Sequence, residues 1–178
     1  VKILVAEDET NIAWQYKAAL EARGHHVRCE ENGQDCINTY KLAMARSANS
    51  RGLRGKASQK STPFDVVILD YRMPKKDGLQ VAKEILALSP KQRIVFASAY
   101  VIETLGESVK QLGQVVELLQ KPFDMDSFTS AIEDRGIYEE LEKINVKVAN
   151  LKKSNMTHSQ LVELLAGIKK LEEEIRGQ

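Results

Sequence analysis

The chain has 178 residues, and its 26 Lys and Arg nearly balance its 25 Asp and Glu, for a net charge of +1. Apolar residues make up 43% and charged residues 29%, as in ordinary soluble globular proteins. This excludes a chain disordered throughout and one that binds polyanions by global charge alone. It leaves room for one full domain plus a modest appendage.

No run is apolar enough to span a membrane. The longest, Val66–Leu69 and Ile94–Ala97, fall far short of the roughly 20 residues required. The start, Val1-Lys2-Ile3-Leu4-Val5-Ala6 followed by Glu7-Asp8-Glu9, lacks the basic, apolar and small-residue regions of a signal peptide. The two cysteines, Cys29 and Cys36, lack metal-ligand spacing, so both are expected as reduced thiols in a cytoplasmic protein.

In chain order, residues 2–6 predict a buried strand. Asp8 to Arg23 predicts a helix with Ile12, Tyr16, Ala19 and Leu20 on one face, Thr10 or Asn11 as its cap and Gly24 as its stop. His26–Cys29 reads as a short strand. Gly33 to Met44 reads as a helix with Cys36, Ile37, Tyr40 and Met44 inward and Leu42 off that face. Residues 65–69 form the most strand-like run, followed by a turn signal at Asp77-Gly78. Val81, Ile85 and Leu88 mark a helix ending near Pro90. A strand over 94–97, a weakly patterned helix over 101–112, a strand over 115–119 and a helix from Ser127 to Asp134, capped by Asp126, complete the series. Strands alternating with helices predict an α/β fold with a five-stranded, doubly wound parallel sheet over residues 1–136.

Two segments interrupt or follow the alternation. Residues 46–62 form an insertion rich in Ser, Gly, Lys and Arg. Between Asp35 and Asp65 there are six basic residues and no acidic one. Such charge suits nonspecific phosphate contact, but no aromatic residues are interleaved for base stacking, and a solvated loop is the expectation. Adjacent His25 and His26 are likewise expected in a solvated turn. Residues 137–178 carry seven acidic and seven basic residues. Within them Ile137, Leu141, Ile144, Val148 and Leu151, then Leu161, Leu164, Ile168, Leu171 and Ile175, form two heptad seams. Thr157 and Gln160 suit a capping box between them. A helical hairpin or coiled-coil tail is predicted, able to pair with itself, with a second copy or with a partner.

Ligands of a parallel α/β sheet bind beyond the carboxyl ends of its strands. There the chain places Glu7-Asp8, Asp70, Ser98 and Lys121-Pro122. Three carboxylates repel one another unless a proton or cation intervenes, and hard oxygen donors without His or Cys favour Mg²⁺. An added hydroxyl and ammonium suit a phosphoryl group. With no P-loop and no Ser/His/Asp set, an aspartate is the natural phosphoryl acceptor.

The runs Val5-Ala6-Glu7-Asp8-Glu9, Val66–Leu69 with Asp70-Tyr71-Arg72-Met73-Pro74-Lys75-Lys76-Asp77-Gly78, Ile94–Ala97 with Ser98-Ala99, and Lys121-Pro122-Phe123 together resemble the receiver domain of response regulators, the CheY-like family. The resemblance implies that Asp70 is the phosphoacceptor. It implies Mg²⁺ held by Glu7, Asp8, Asp70 and the Arg72 carbonyl, with Ser98 and Lys121 contacting the phosphoryl group and a cis bond before Pro122. Leu118 stands where the family often has an aromatic switch residue. Arg72 and Tyr100 occupy positions that tune dephosphorylation in the family.

The expected function is therefore that of a non-enzyme signalling switch. It takes a phosphoryl group from a histidine kinase or phosphotransfer protein and changes its contacts with a downstream protein, with a possible homodimer through 137–178 and no membrane partner. Nucleic acid is not the expected partner, because the tail is too short and too evenly charged for a winged-helix output domain. The competing expectation is a phosphorylation-independent interaction module that dimerises through its tail.

Overall fold

The predicted alternation is realised as a parallel sheet with helices on both faces. The computed structural model describes residues 1–51, 62–99, 112, 117–134, 162–168 and 170. The elements are β1 (Lys2–Ala6), α1 (Thr10–Ala22), β2 (His26–Glu30), α2 (Gly33–Arg51), β3 (Val66–Leu69), α3 (Gly78–Leu88), β4 (Arg93–Ser98), β5 (Glu117–Gln120) and α4 (Met125–Glu133). The strand order is β2-β1-β3-β4-β5 and every pairing is parallel. The predicted helix over 101–112 lies, apart from Leu112, outside the described residues, as do most of the basic insertion and residues 137–161.

Strand side chains alternate between faces, and the sheet is apolar on both, as a covered parallel sheet must be. Leu4, Ala6, Val67, Leu69, Ile94 and Phe96 pack with Cys36, Ile37 and Tyr40 of α2 and Val81, Ala82 and Ile85 of α3. Ile3, Val5, Val66, Ile68, Val95 and Ala97 pack on the other face with Tyr16 and Leu20 of α1 and Phe128 and Ile132 of α4. The predicted inner face of α2 is therefore correct, and Leu42 is 59% exposed.

The helix ends depart from expectation in instructive ways. Thr10 and Asn11 lie inside α1, whose N-cap is Glu9 with no side-chain cap bond. Asp124, not Asp126, caps α4 by accepting from the Ser127 N–H at 2.7 Å. Asp126 sits in the first turn. Asp77-Gly78 is the start of α3 rather than a free turn: Asp77 and Gln80 form a reciprocal capping box. Gly24 does stop α1, at φ +81°. Its N–H donates to Glu21 O at 2.9 Å and the His25 N–H to Leu20 O at 3.2 Å, the paired bonds of a Schellman end. α2 runs past Met44 to Arg51, so the basic stretch begins within a helix.

Residues 162–168 are helical and Leu165 is buried, at 8% exposure. The expected seam residues Leu164 and Ile168 are half-buried. The other expected seam positions lie outside the described residues.

Candidate phosphoryl site at the carboxyl edge of the sheet

β1 and β3 are neighbours, with Ala6 opposite Leu69. The residues that follow each strand therefore emerge side by side, and the Asp70 N–H donates to Ala6 O at 2.8 Å. β4 pairs with β3 and β5 with β4, Ser98 lies opposite Gln120, and the Lys121 N–H donates to Ser98 O at 2.8 Å. The Lys121–Pro122 bond is cis. Four strand ends thus deliver Glu7, Asp70, Ser98 and Lys121 to one edge.

The Lys121 ammonium joins two acids. Its Nζ donates to Glu7 Oε2 at 2.7 Å and to Asp70 Oδ1 at 3.0 Å. Asp70 Oδ2 accepts from the Arg72 N–H at 2.8 Å. Glu7 is 1% exposed and Ser98 4%. The Asp8 and Arg72 residues are exposed at the rim. Burial pushes the Glu7 carboxyl above its usual range, and Lys121 pulls it only part of the way back. For Lys121, burial disfavours the ammonium, but the bond to Glu7 and the charges of its neighbours outweigh this and raise its pKa. One ammonium between two carboxylates leaves a net negative charge in a poorly solvated place.

Gly78 allows this packing. A Cβ there would stand 2.2 Å from Asp70 O and 3.0 Å from Phe96 Cε1. Only glycine lets the start of α3 press against the backbone of Asp70. Its N–H also donates to Tyr71 O at 2.9 Å.

The structure brings together Glu7, Asp70 and Lys121 by direct contact and places Ser98 at the adjoining strand end. Among the described residues, no three His, Cys, Asp or Glu side chains gather as a ready metal cluster. Glu7 and Asp70 converge on Lys121, while Asp8 stays at the exposed rim. Leu118, at the family's aromatic position, is buried, at 4% exposure. Tyr100 lies outside the described residues.

Sequence reasoning missed three features. Tyr16, read only as a core residue, has its ring centroid 5.8 Å from Lys121 Nζ. Arg93 and Glu117 form a bidentate pair at 2.6 and 3.0 Å with no motif to announce it. His25 is not a solvated turn residue: its Nε2 lies 3.1 Å from Glu133 Oε1, and Arg23 Nη1 donates to the other oxygen of Glu133 at 3.0 Å. Their partners lie 24 to 110 positions away, beyond the reach of local pattern.

Residues 3–133 match the family described as the response regulator receiver domain. The response regulator receiver protein CpdR of Brucella abortus is 26% identical over 74% of this chain and 93% of its own length. The regulatory protein AtoC of Escherichia coli is 23% identical over 74% of this chain and 24% of its own. For the transcriptional regulatory protein RprY of Bacteroides fragilis the figures are 26%, 75% and 48%. The chain thus spans between a quarter and a half of those two longer relatives. Among solved structures, a receiver domain protein from Clostridium thermocellum superposes with a TM-score of 0.60 at 23% identity, over 80% of this chain and 98% of that one. The CheX–CheY–BeF3–Mg complex of Borrelia burgdorferi gives 0.58 at 20%, over 72% and 84%. With the family matched across most of its length and the sheet order and strand-end residues in place, the chain belongs to the response regulator receiver domain family.

Proposed function

We propose that the chain accepts a phosphoryl group on Asp70 from a phosphohistidine of a histidine kinase or phosphotransfer protein. The observation that carries this reading is the Lys121 ammonium held between Glu7 and Asp70 at the carboxyl edge of the sheet. A carboxylate oxygen of Asp70 attacks phosphorus in line. The new O–P bond forms as the P–N bond breaks, and the departing electron pair stays on the imidazole nitrogen. Lys121, already one hydrogen bond from Asp70, neutralises phosphoryl oxygens, and Ser98 supplies a hydroxyl donor from the end of β4.

The donor set suits a divalent cation. It offers hard oxygens, no His or Cys, and more carboxylate than ammonium. Asp8, Asp70 and the Arg72 carbonyl, with Glu7, are the groups that would hold Mg²⁺. When bound, Mg²⁺ spreads the negative charge of the transferring group. The Borrelia complex, whose name includes BeF3 and Mg, supports the same choice.

Phosphorylation adds roughly −1.5 to −2 charge. A unit pair 4 Å apart at an effective dielectric near 20 is worth roughly 4 kcal/mol, more than the roughly 1–3 kcal/mol of a usual allosteric coupling. The resulting change is read by a downstream protein or by a second copy through residues 137–178, in the cytoplasm. Sedimentation of the full chain with and without a phosphoryl mimic is expected to show a dimer in at least one state. A monomer in both sinks the homodimer.

The acceptor is tested by treating the parent and Asp70→Asn with acetyl phosphate and Mg²⁺. The parent is expected to gain a phosphoryl group that hydroxylamine releases, as it does from an acyl phosphate, and the variant none. Equal labelling of the two overturns the assignment.

A further inference from the structure

Behind Lys121 lies an aromatic stack that the phosphoryl chemistry does not account for. Tyr16 projects from α1 and is 2% exposed. Its ring centroid lies 5.8 Å from Lys121 Nζ, inside the range of cation–π attraction. The same ring stacks on Phe128 of α4 at 4.5 Å and 23°, and on Phe123 at 5.9 Å and 27°. Phe123 and Phe128 stack on each other at 5.3 Å and 5°. Lys121 is therefore held from three sides: by Glu7, by Asp70 and by an aromatic face.

We propose that Tyr16 is a positioning residue for Lys121 and that it passes the displacement of that lysine to Phe128 in α4. The inference rests on the phosphoacceptor reading of Asp70. In the unphosphorylated protein Lys121 divides its donors between Glu7 and Asp70. A phosphoryl group on Asp70 adds oxygens and charge on one side of that division and draws the ammonium toward itself. The ring that balanced the ammonium then loses its cation. Because the same ring is stacked on Phe128, its adjustment reaches α4 without an intermediary. This route is separate from an aromatic residue at position 118, where the chain has Leu.

Burial is the largest influence on the Tyr16 phenol and raises its pKa, Lys121 lowers it by its charge and by a hydrogen bond to the hydroxyl, and the charges of Glu7 and Asp70 raise it. Attraction to the ring face, not titration, is what the test addresses. Phenylalanine and its mono-, di- and trifluorinated analogues are installed at position 16 of the full chain. They keep the ring's shape while draining its face of electron density. The initial rate of labelling by acetyl phosphate and the backbone amide shifts of α4 on adding beryllofluoride with Mg²⁺ are then measured.

Tyr16→Phe removes the hydroxyl that bonds Lys121 and keeps the ring, so it is the reference against which the fluorinated series is read. The fluorinated series is expected to fall in order, by about threefold to tenfold at its end, the span of a partly buried cation–π contact. The α4 response should shrink in the same order. A rate and an α4 response that stay flat across the series overturn the inference, since a purely structural ring would behave that way. Tyr16→Leu is a second check. If it folds, it is expected to lose the α4 response while still binding beryllofluoride, and an intact response overturns the coupling. A parent that takes up no phosphoryl group overturns both this inference and the phosphoacceptor reading. A parent that does, with a flat series, overturns this one alone.

Discussion

Two buried ion clusters sit at opposite ends of β4, and they are built to opposite rules. At one, Arg93 gives two bonds to Glu117, at 2.6 and 3.0 Å. It gives two more to the carbonyls of Ile132 and Ala131, each at 2.8 Å. Among the described residues Arg93 meets Glu117, and other guanidinium donors close the last carbonyls of α4, which a helix end leaves unpaired. At the other, Lys121 is shared between Glu7 and Asp70, so one positive charge faces two negative ones. In the first cluster the Glu117 carboxylate faces a guanidinium on both of its oxygens. The second is short of positive charge and is improved, as regards stability, by any added cation or by losing a carboxylate. Sites that must take up charge are kept uncompensated in this way, at a cost in stability.

That contrast is easiest to break with matched carboxylate-to-amide changes. Glu117→Gln leaves Arg93 without its counter-charge at a residue 1% exposed. It is expected to destabilise the fold by about 3 kcal/mol in urea unfolding, the low end for breaking a buried pair. Asp70→Asn, measured in metal-free buffer, should act in the opposite direction. It converts the triad into a one-to-one Glu7–Lys121 pair while an amide oxygen still accepts from the Arg72 N–H, and a gain of about 1 kcal/mol is expected. Equal losses from the two substitutions would erase the distinction between the clusters.

The shallowest effect is a pH dependence, and it sharpens the reading of Glu7. Burial raises its folded pKa above the ordinary 4.5. Below that value the group is protonated folded and unfolded alike and contributes no difference. As the pH rises, the unfolded chain ionises first, so stability falls until the pH passes the raised folded pKa. Glu7→Gln removes this decline. In metal-free buffer the variant is therefore expected to gain on the parent from pH 4.5 upward, by less than the roughly 1.4 kcal/mol per pH unit carried by one full proton. Unfolding curves between pH 4.5 and 7.5 that run parallel for the two proteins would show that Lys121 fully offsets the burial of Glu7.

The sheet and the gathering of Glu7, Asp70, Ser98 and Lys121 at one edge were legible in the sequence because each leaves a local trace. Val66–Leu69 is apolar on both faces, as a central parallel strand must be, and Asp70 follows at the strand's carboxyl end, where ligands bind. Glu7, Ser98 and Lys121 were found by the same rule. Helix caps were less legible. Asp124 and Asp126 are both good capping residues, and which one caps depends on where the backbone turns after Pro122. The Arg93–Glu117 pair, the His25–Glu133 contact and the approach of Tyr16 to Lys121 left no local trace, because each joins elements that only the sheet order brings together. The length of α2 was misjudged because apolar periodicity stops at Met44 while the helix goes on to Arg51. Beyond the core a helix is carried by its backbone bonds and by good helix formers such as Arg and Ala.

That longer α2 has a geographic consequence. Helices in such a fold run antiparallel to the strands, so α2 leaves the phosphoryl edge and heads for the opposite pole. Its 19 residues cover about 28 Å at 1.5 Å each, whereas the 4 residues of β3 cover about 13 Å. α2 therefore ends at Arg51 away from that edge, and Asp65, just before β3, has a carboxylate that accepts from the Lys2 N–H at 2.7 Å. Asp65 and Asp70 flank β3 at its two ends, so a change at Asp65 is separated from Asp70 by the full height of the sheet.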